Sequence, residues 1–148
     1  MFARLQALLA ALWGGFLLCV AFAAAPSAFA VLERANAGLF VGRLFATEAK
    51  VSLAIALILM LLERRITRDK VEAGAASNVF SWELLLPAVV LFCTIAGYYA
   101  LQPLMTDAKA GTGVASFAVL HGASLAFFAV KGFAVLALAW RLSRTRSS

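Results

Sequence analysis

Four long apolar stretches, at residues 5–32, 43–62, 84–105 and 114–140, fill nearly the whole of a 148-residue chain. Only short polar connections separate them. An α-helix needs ~20 residues to cross a hydrocarbon core of about 30 Å, and each stretch is near or above that length. Nothing outside them is large enough to fold separately. The expected fold class is therefore all-α, an integral membrane four-helix bundle making one transmembrane domain over residues 1–148.

Hydrophobic residues make up 64% of the chain, against roughly 45–50% in soluble domains. The formal net charge of +6 would suggest nucleic acid in a soluble protein. Here no basic patch is interleaved with exposed aromatics, so no nucleic-acid partner is expected. Lys and Arg collect at the cytoplasmic ends of membrane helices, and the lipid bilayer, with its anionic headgroups, is the expected partner of that charge. Arg4, an apolar run and Ala28-Phe29-Ala30 resemble a secretion signal with its cleavage site. Yet the run from Leu5 to Ala25 holds 21 residues, longer than the ~7–15 of a signal core, so a retained helix is expected.

Loop charges set orientation. Four crossings put both termini and the 63–83 loop on one side, with Arg4, Arg64, Arg65, Arg68, Lys70, Arg141, Arg144 and Arg146. The other side carries Arg34, Arg43 and Lys109. This bias of eight basic residues to three predicts both termini cytoplasmic, and the expected location is a bacterial inner membrane. Trp82 and Trp140 fit interfacial anchors, whereas Trp13 lies deeper and is expected to pack. Gly74 to Asn78 reads as a flexible linker.

The second stretch is the informative one. Its uncharged run, Val51–Leu62, is 12 residues, or ~18 Å of helix. To span, that helix must begin near Arg43, which draws Thr47, Glu48 and Lys50 into the membrane. The fourth stretch carries His121 and Lys131. Ionisable groups cost ~2.5–3.5 kcal/mol at a helix centre on insertion scales, and usually face a bundle interior or a water-filled cavity. Comparing depths gathers Pro26, Glu48, Tyr98, Tyr99, Gln102 and His121 into one layer. His121, Ser124, Phe128 and Lys131 share a face of helix 4, and Glu48 and Ser52 share a face of helix 2. The expected arrangement points Glu48 inward to His121 or a tyrosine hydroxyl. Lys50 snorkels outward and Lys131 toward the cytoplasmic interface.

Blander readings stand beside these. An intramembrane His is often an interhelical hydrogen-bond donor, and Glu48 could form a structural ion pair. Pro26 reads as a kink or helix boundary. Gly38-x-x-x-Gly42 reads as a packing motif or turn geometry, and Gly122, between Ala118 and Ala126, suits close helix approach. Cys19 and Cys93 behave as small apolar side chains. Two isolated Cys and one His lack ligand-pair spacing, so no metal site is expected. Hydrolase and nucleotide-binding motifs are absent, and one His cannot supply bis-histidine haem ligation. Neither enzymatic activity nor a cofactor is expected.

Several stretches, taken together, resemble the membrane family of domain of unknown function 4149, which includes transmembrane protein 205-like proteins. They are Leu12-Trp13-Gly14-Gly15, Phe22 through Pro26 with Phe29, Ala37-Gly38 with Arg43-Leu44-Phe45, Tyr98 through Pro103, and His121-Gly122-Ala123-Ser124 after Phe117. Similar proteins often carry Pro after the Leu-Phe of helix 2 and Asn seven residues after the His. Here those positions are Ala46 and Phe128. The resemblance implies a four-helix membrane domain without an established biochemical activity. Its eukaryotic members are linked to drug tolerance, which hints at transport or trafficking.

Two function classes remain open at this point. One is a small transport or permeation component built on an intramembrane polar site of Glu48, His121, Tyr98, Tyr99, Gln102, Ser124 and Lys50, with a homo-oligomer forming any pore. The alternative is a structural or accessory protein that binds a partner helix or lipid.

Overall fold

The computed structural model describes residues 2–74 and 81–144. Residues 75–78 of the expected linker, and Arg146, lie outside them. Four helices, each long and apolar enough to cross a membrane, account for nearly all of the described chain: α1 (Phe2–Val31), α2 (Arg34–Glu72), α3 (Trp82–Lys109) and α4 (Phe117–Arg144).

Each helix buries one narrow stripe, with the three- and four-residue steps of left-handed bundle packing. On α1 the stripe is Gln6, Ala10, Trp13, Leu17 and Val20; on α2 it is Glu48, Ser52, Ala56, Leu59 and Glu63. Pro87, Val90, Thr94 and Gly97 serve α3, and Lys131, Val135, Leu138 and Leu142 serve α4. The apolar members form a single core that includes Trp13, Leu17, Leu59, Val90, Val135 and Leu138. Large apolar side chains such as Leu12, Phe22, Leu61, Phe92 and Phe133 face outward, as on a helix that meets lipid.

Helices α1 and α3 each pack against both α2 and α4, so α2 and α4 face each other across the bundle axis. Gln6 with Glu63, Ser81 with Glu63, and Arg141 with Glu83 meet at one end. Those contacts join the starts of α1 and α3 to the later parts of α2 and α4, so successive helices run in opposite directions. The first turn of α1, the last turn of α4, the end of α2 and the start of α3 share that end.

Helix α2 is far longer than its apolar stretch. It starts at Arg34, not near Arg43, and only Leu32 and Glu33 join it to α1. Hydropathy measures the thickness of the bilayer, whereas a helix ends where its hydrogen bonds or packing end. Gly38 and Gly42, expected as a turn or packing motif, cost ~1 kcal/mol each within a helix. Packing of Ala37, fully buried, holds this segment helical regardless. At its other end α2 continues through the basic run to Glu72, aided by i,i+4 pairs Arg65–Asp69 and Arg68–Glu72 at 3.4 and 3.0 Å. Exposed pairs of this kind contribute about 0.3–0.5 kcal/mol each.

Two helices widen in the same half of the bundle. Helix α1 has a π-helical turn at Val20–Ala24 and α3 has one at Ile95–Ala100. Each precedes a proline, Pro26 and Pro103. A proline lacks the N–H of the i→i−4 ladder and clashes with the carbonyl four residues back, and a wider turn relieves both. Beyond these turns α1 stays packed on α2, and α3 on α4. No comparable packing joins the last turns of α1 to α4, or those of α3 to α2, among the described residues. The bundle therefore parts into two helix pairs toward the end away from the termini.

Candidate functional site

Where the pairs begin to part, the bundle axis is polar. Glu48 of α2 and Lys131 of α4 lie equally far along their helices, about 21 Å from Arg34 and Phe117 at ~1.5 Å per residue. Lys131 Nζ donates to Glu48 Oε1 and Oε2, both at 2.8 Å. The two side chains are 4% and 2% exposed. Ser52, one turn below Glu48, donates a short hydrogen bond to Oε1. Trp13 Nε1 donates in turn to Ser52 Oγ at 3.0 Å. Three helices thus contribute to one hydrogen-bonded chain, Trp13–Ser52–Glu48–Lys131. Lys131 also rests over the Phe128 ring at 4.8 Å, and Phe45 meets that ring edge-on at 5.3 Å.

The ion pair forms part of the wall of a cavity of about 280 Å³. The cavity runs from there to Thr106, Lys109 and Phe117 near the α3–α4 connection. Gly38, Gly42, Gln102, Lys109, His121 and Leu125 line it and are exposed, so it opens outward. Its walls are mixed. Phe29, Val41, Phe45, Met105, Leu125 and Phe128 supply apolar surface. At the mouth, Lys109 Nζ sits 4.8 Å from the centre of the Phe117 ring, and His121 stacks on that same ring at 5.5 Å.

The sequence-derived residues fall in different places. Glu48, Tyr98, Gln102, His121 and Ser124 all line the cavity, and so do Gly38 and Gly42. Glu48 pairs with Lys131 rather than with His121 or a tyrosine. Lys131 does not snorkel. It lies ten residues before Arg141, ~15 Å of helix, beyond the reach of its stem, and a buried carboxylate is at hand. Lys50 is exposed and off the cavity, because it stands 200° around α2 from Glu48 at about 100° per residue. Tyr99 is also outside the lining and packs edge-on against Tyr98 at 5.2 Å. Pro26 is exposed just past the α1 π turn. Gly122 faces outward, and a methyl added there, or at Gly38 or Gly42, would meet nothing within 4 Å. None of the three is a packing contact within the bundle.

Close approach falls instead at Gly97, in the α3 π turn, where an added methyl would overlap Phe127. The Gly97 carbonyl accepts a hydrogen bond from Ser124 Oγ at 2.8 Å. Ser124 thus ties α3 to α4 and does not engage His121.

A second polar cluster closes the opposite end. Glu63, 7% exposed, accepts from Gln6 Nε2 at 2.9 Å and from Ser81 Oγ at 2.8 Å. Sequence reasoning assigned Gln6 and Glu63 no role. The signal was present: Glu48, Ser52 and Glu63 fall in one three-four stripe of α2.

Four membrane-length helices enclosing a buried ion pair define a multi-pass membrane protein. A family model described as a domain of unknown function (DUF4149) matches residues 8–113, and the chain belongs to that family. The match takes in α1 to α3 with Glu48, Tyr98 and Gln102, while His121, Ser124 and Lys131 on α4 follow it. No curated protein and no solved structure matches the chain.

Proposed function

We propose that this protein is a small, non-catalytic transport or permeation component of a bacterial inner membrane, with the cavity as its solute site. One observation carries the reading: a cavity enclosed by four helices ends on a buried, hydrogen-bonded charge pair at the bundle axis. Intramembrane ionisable groups of this kind mark substrate pathways, and transporter sites form where irregular helix turns meet a cavity. Below the ion pair, the packed core and the Gln6–Glu63–Ser81 cluster seal the path. The basic-residue bias directs the open end to the periplasm and both termini to the cytoplasm. Ser124 spends its hydroxyl on a backbone carbonyl, which argues against nucleophilic chemistry.

The accessory reading has one observation of its own. Ala118, Gly122 and Ala126 form an exposed small-residue stripe on α4, and such stripes suit a second copy or a partner helix.

Proteoliposomes test the transport reading. Efflux of a panel of small organic acids, bases and amphiphiles is compared for wild type, Glu48→Gln and empty vesicles. Wild type should exceed empty vesicles for at least one class, with Glu48→Gln reduced. Equal efflux from wild type and empty vesicles across the panel overturns the reading.

A further inference from the structure

We infer that the cavity binds a single-chain amphiphile through its anionic head, a carboxylate or phosphate, taken laterally from the membrane. The inference rests on the reading of the cavity as a solute site and names the chemistry that site would accept.

Donor accounting gives the sign of the head. The charged residues lining the cavity are Lys109, Lys131 and Glu48, an excess of cation even with His121 neutral. Glu48 is already engaged, taking Ser52 and Lys131 on Oε1 and Lys131 on Oε2. An ammonium has three donors, and Lys131 spends two on Glu48. The side chains of Tyr98, Gln102 and His121 line the same space and make no hydrogen bond to any described residue. The cavity therefore presents one N–H of Lys131, the Tyr98 hydroxyl, the Gln102 amide, the His121 ring and the Lys109 ammonium. Its carboxylate, by contrast, is committed. A ligand rich in acceptors matches this surface, and a cationic one would meet like charge.

Shape gives the rest of the ligand. The volume of about 280 Å³ equals roughly nine waters at ~30 Å³ each. That accommodates a carboxylate or phosphate and the first methylenes of a chain. The remainder of the chain needs an apolar exit. The parted helix pairs provide one, because α1 and α4 on one side, and α2 and α3 on the other, lack close packing at this level. Phe29, Leu125 and the bare backbone of Gly38 and Gly42 border that exit. A soluble polar solute would have no use for such slots, whereas a chain already in the bilayer can slide in sideways.

Equilibrium binding to the full-length protein in nanodiscs tests this. The probes are radiolabelled dodecanoate, dodecyl phosphate, dodecanol and dodecyltrimethylammonium. In zwitterionic phosphatidylcholine discs, the two anions should bind saturably, at least tenfold tighter than the alcohol or the cation. Lys109→Gln, at the exposed mouth, should weaken anion binding tenfold or more while leaving the helical circular dichroism unchanged, because it removes a charge-assisted donor to the head. Gly42→Trp, which fills the cavity from a position with free space, should abolish it. Discs containing phosphatidylglycerol distinguish the sources. If the anionic phospholipid competes with dodecanoate, the bilayer itself supplies the ligand; if not, free amphiphiles do. Equal binding of all four probes, or anion binding untouched by both Lys109→Gln and Gly42→Trp, overturns the inference. Selective binding without efflux in proteoliposomes would sink the transport reading and leave this one standing. Efflux blind to head charge would do the reverse.

Discussion

The Glu48–Lys131 pair supports the sharpest energetic test. Lys131→Met keeps the stem volume but removes the cation, leaving a carboxylate, 2% exposed, with Ser52 as its remaining donor. Breaking a buried pair from one side costs roughly 3–5 kcal/mol, because the other charge stays in a poor solvent. Glu48→Gln is milder, since an amide oxygen can still accept from Lys131 and from Ser52; it should fall at the lower end of that range. Replacing both partners by neutral groups of similar volume is often near neutral. The double variant should therefore unfold within about 1 kcal/mol of wild type. A double-mutant cycle should then give a coupling of about 5 kcal/mol, read by steric-trapping unfolding in bicelles. Independent sites add to within about 0.3–0.5 kcal/mol. A coupling inside that limit would show that the two side chains do not meet in the folded protein, and the axial register of α2 against α4 would be wrong.

Two further outcomes follow from the packing. Gly97→Ala forces a methyl into Phe127 at the α3–α4 contact, and overpacking of this sort should cost about 1–3 kcal/mol in the same unfolding assay. An unchanged stability would mean that the α3 π turn sits farther from α4. Gln6→Ala leaves buried Glu63 with Ser81 as its remaining donor among the described residues, which should cost about 1–3 kcal/mol. It should also raise maleimide labelling of an Ala10→Cys reporter, fully buried in wild type, by several-fold; unaltered labelling would separate that cluster from closure of the end.

How legible this was in sequence depends on what each residue's position rests on. The four helices follow from apolar length, a property of each segment alone. The common face of His121, Ser124, Phe128 and Lys131 follows from local periodicity, and all four residues line the cavity. The extent of α2 was hidden, because the bilayer sets where the apolar run stops while hydrogen bonding and the packing of Ala37 set where the helix stops. The partner of Glu48 was hidden for another reason. Choosing between His121 and Lys131 on one face requires the axial offset of α2 against α4. That offset depends on how neighbouring helices seat on one another, as Gly97 does on Phe127, and such seating leaves no periodic trace. Ordinary snorkelling then misdirected Lys131 toward an interface it cannot reach.

The two inward carboxylates of α2 explain why the molecule is open at one end and closed at the other. Glu48 and Glu63 stand 15 residues apart, ~22 Å along the helix, and both point into the bundle. Glu63 is held by the neutral donors Gln6 and Ser81, from α1 and the start of α3. Hydrogen bonds to a carboxylate contribute about 1.5–3 kcal/mol each, and water entering at that end would replace them. Glu48 is held by a cation with no other ion-pair partner among the described residues, and by a serine itself anchored on Trp13. Separating that pair leaves two charges buried away from water, at several kcal/mol per ion. Of the two clusters, the one near the termini is therefore the easier to open, and the axial ion pair is the part that stays.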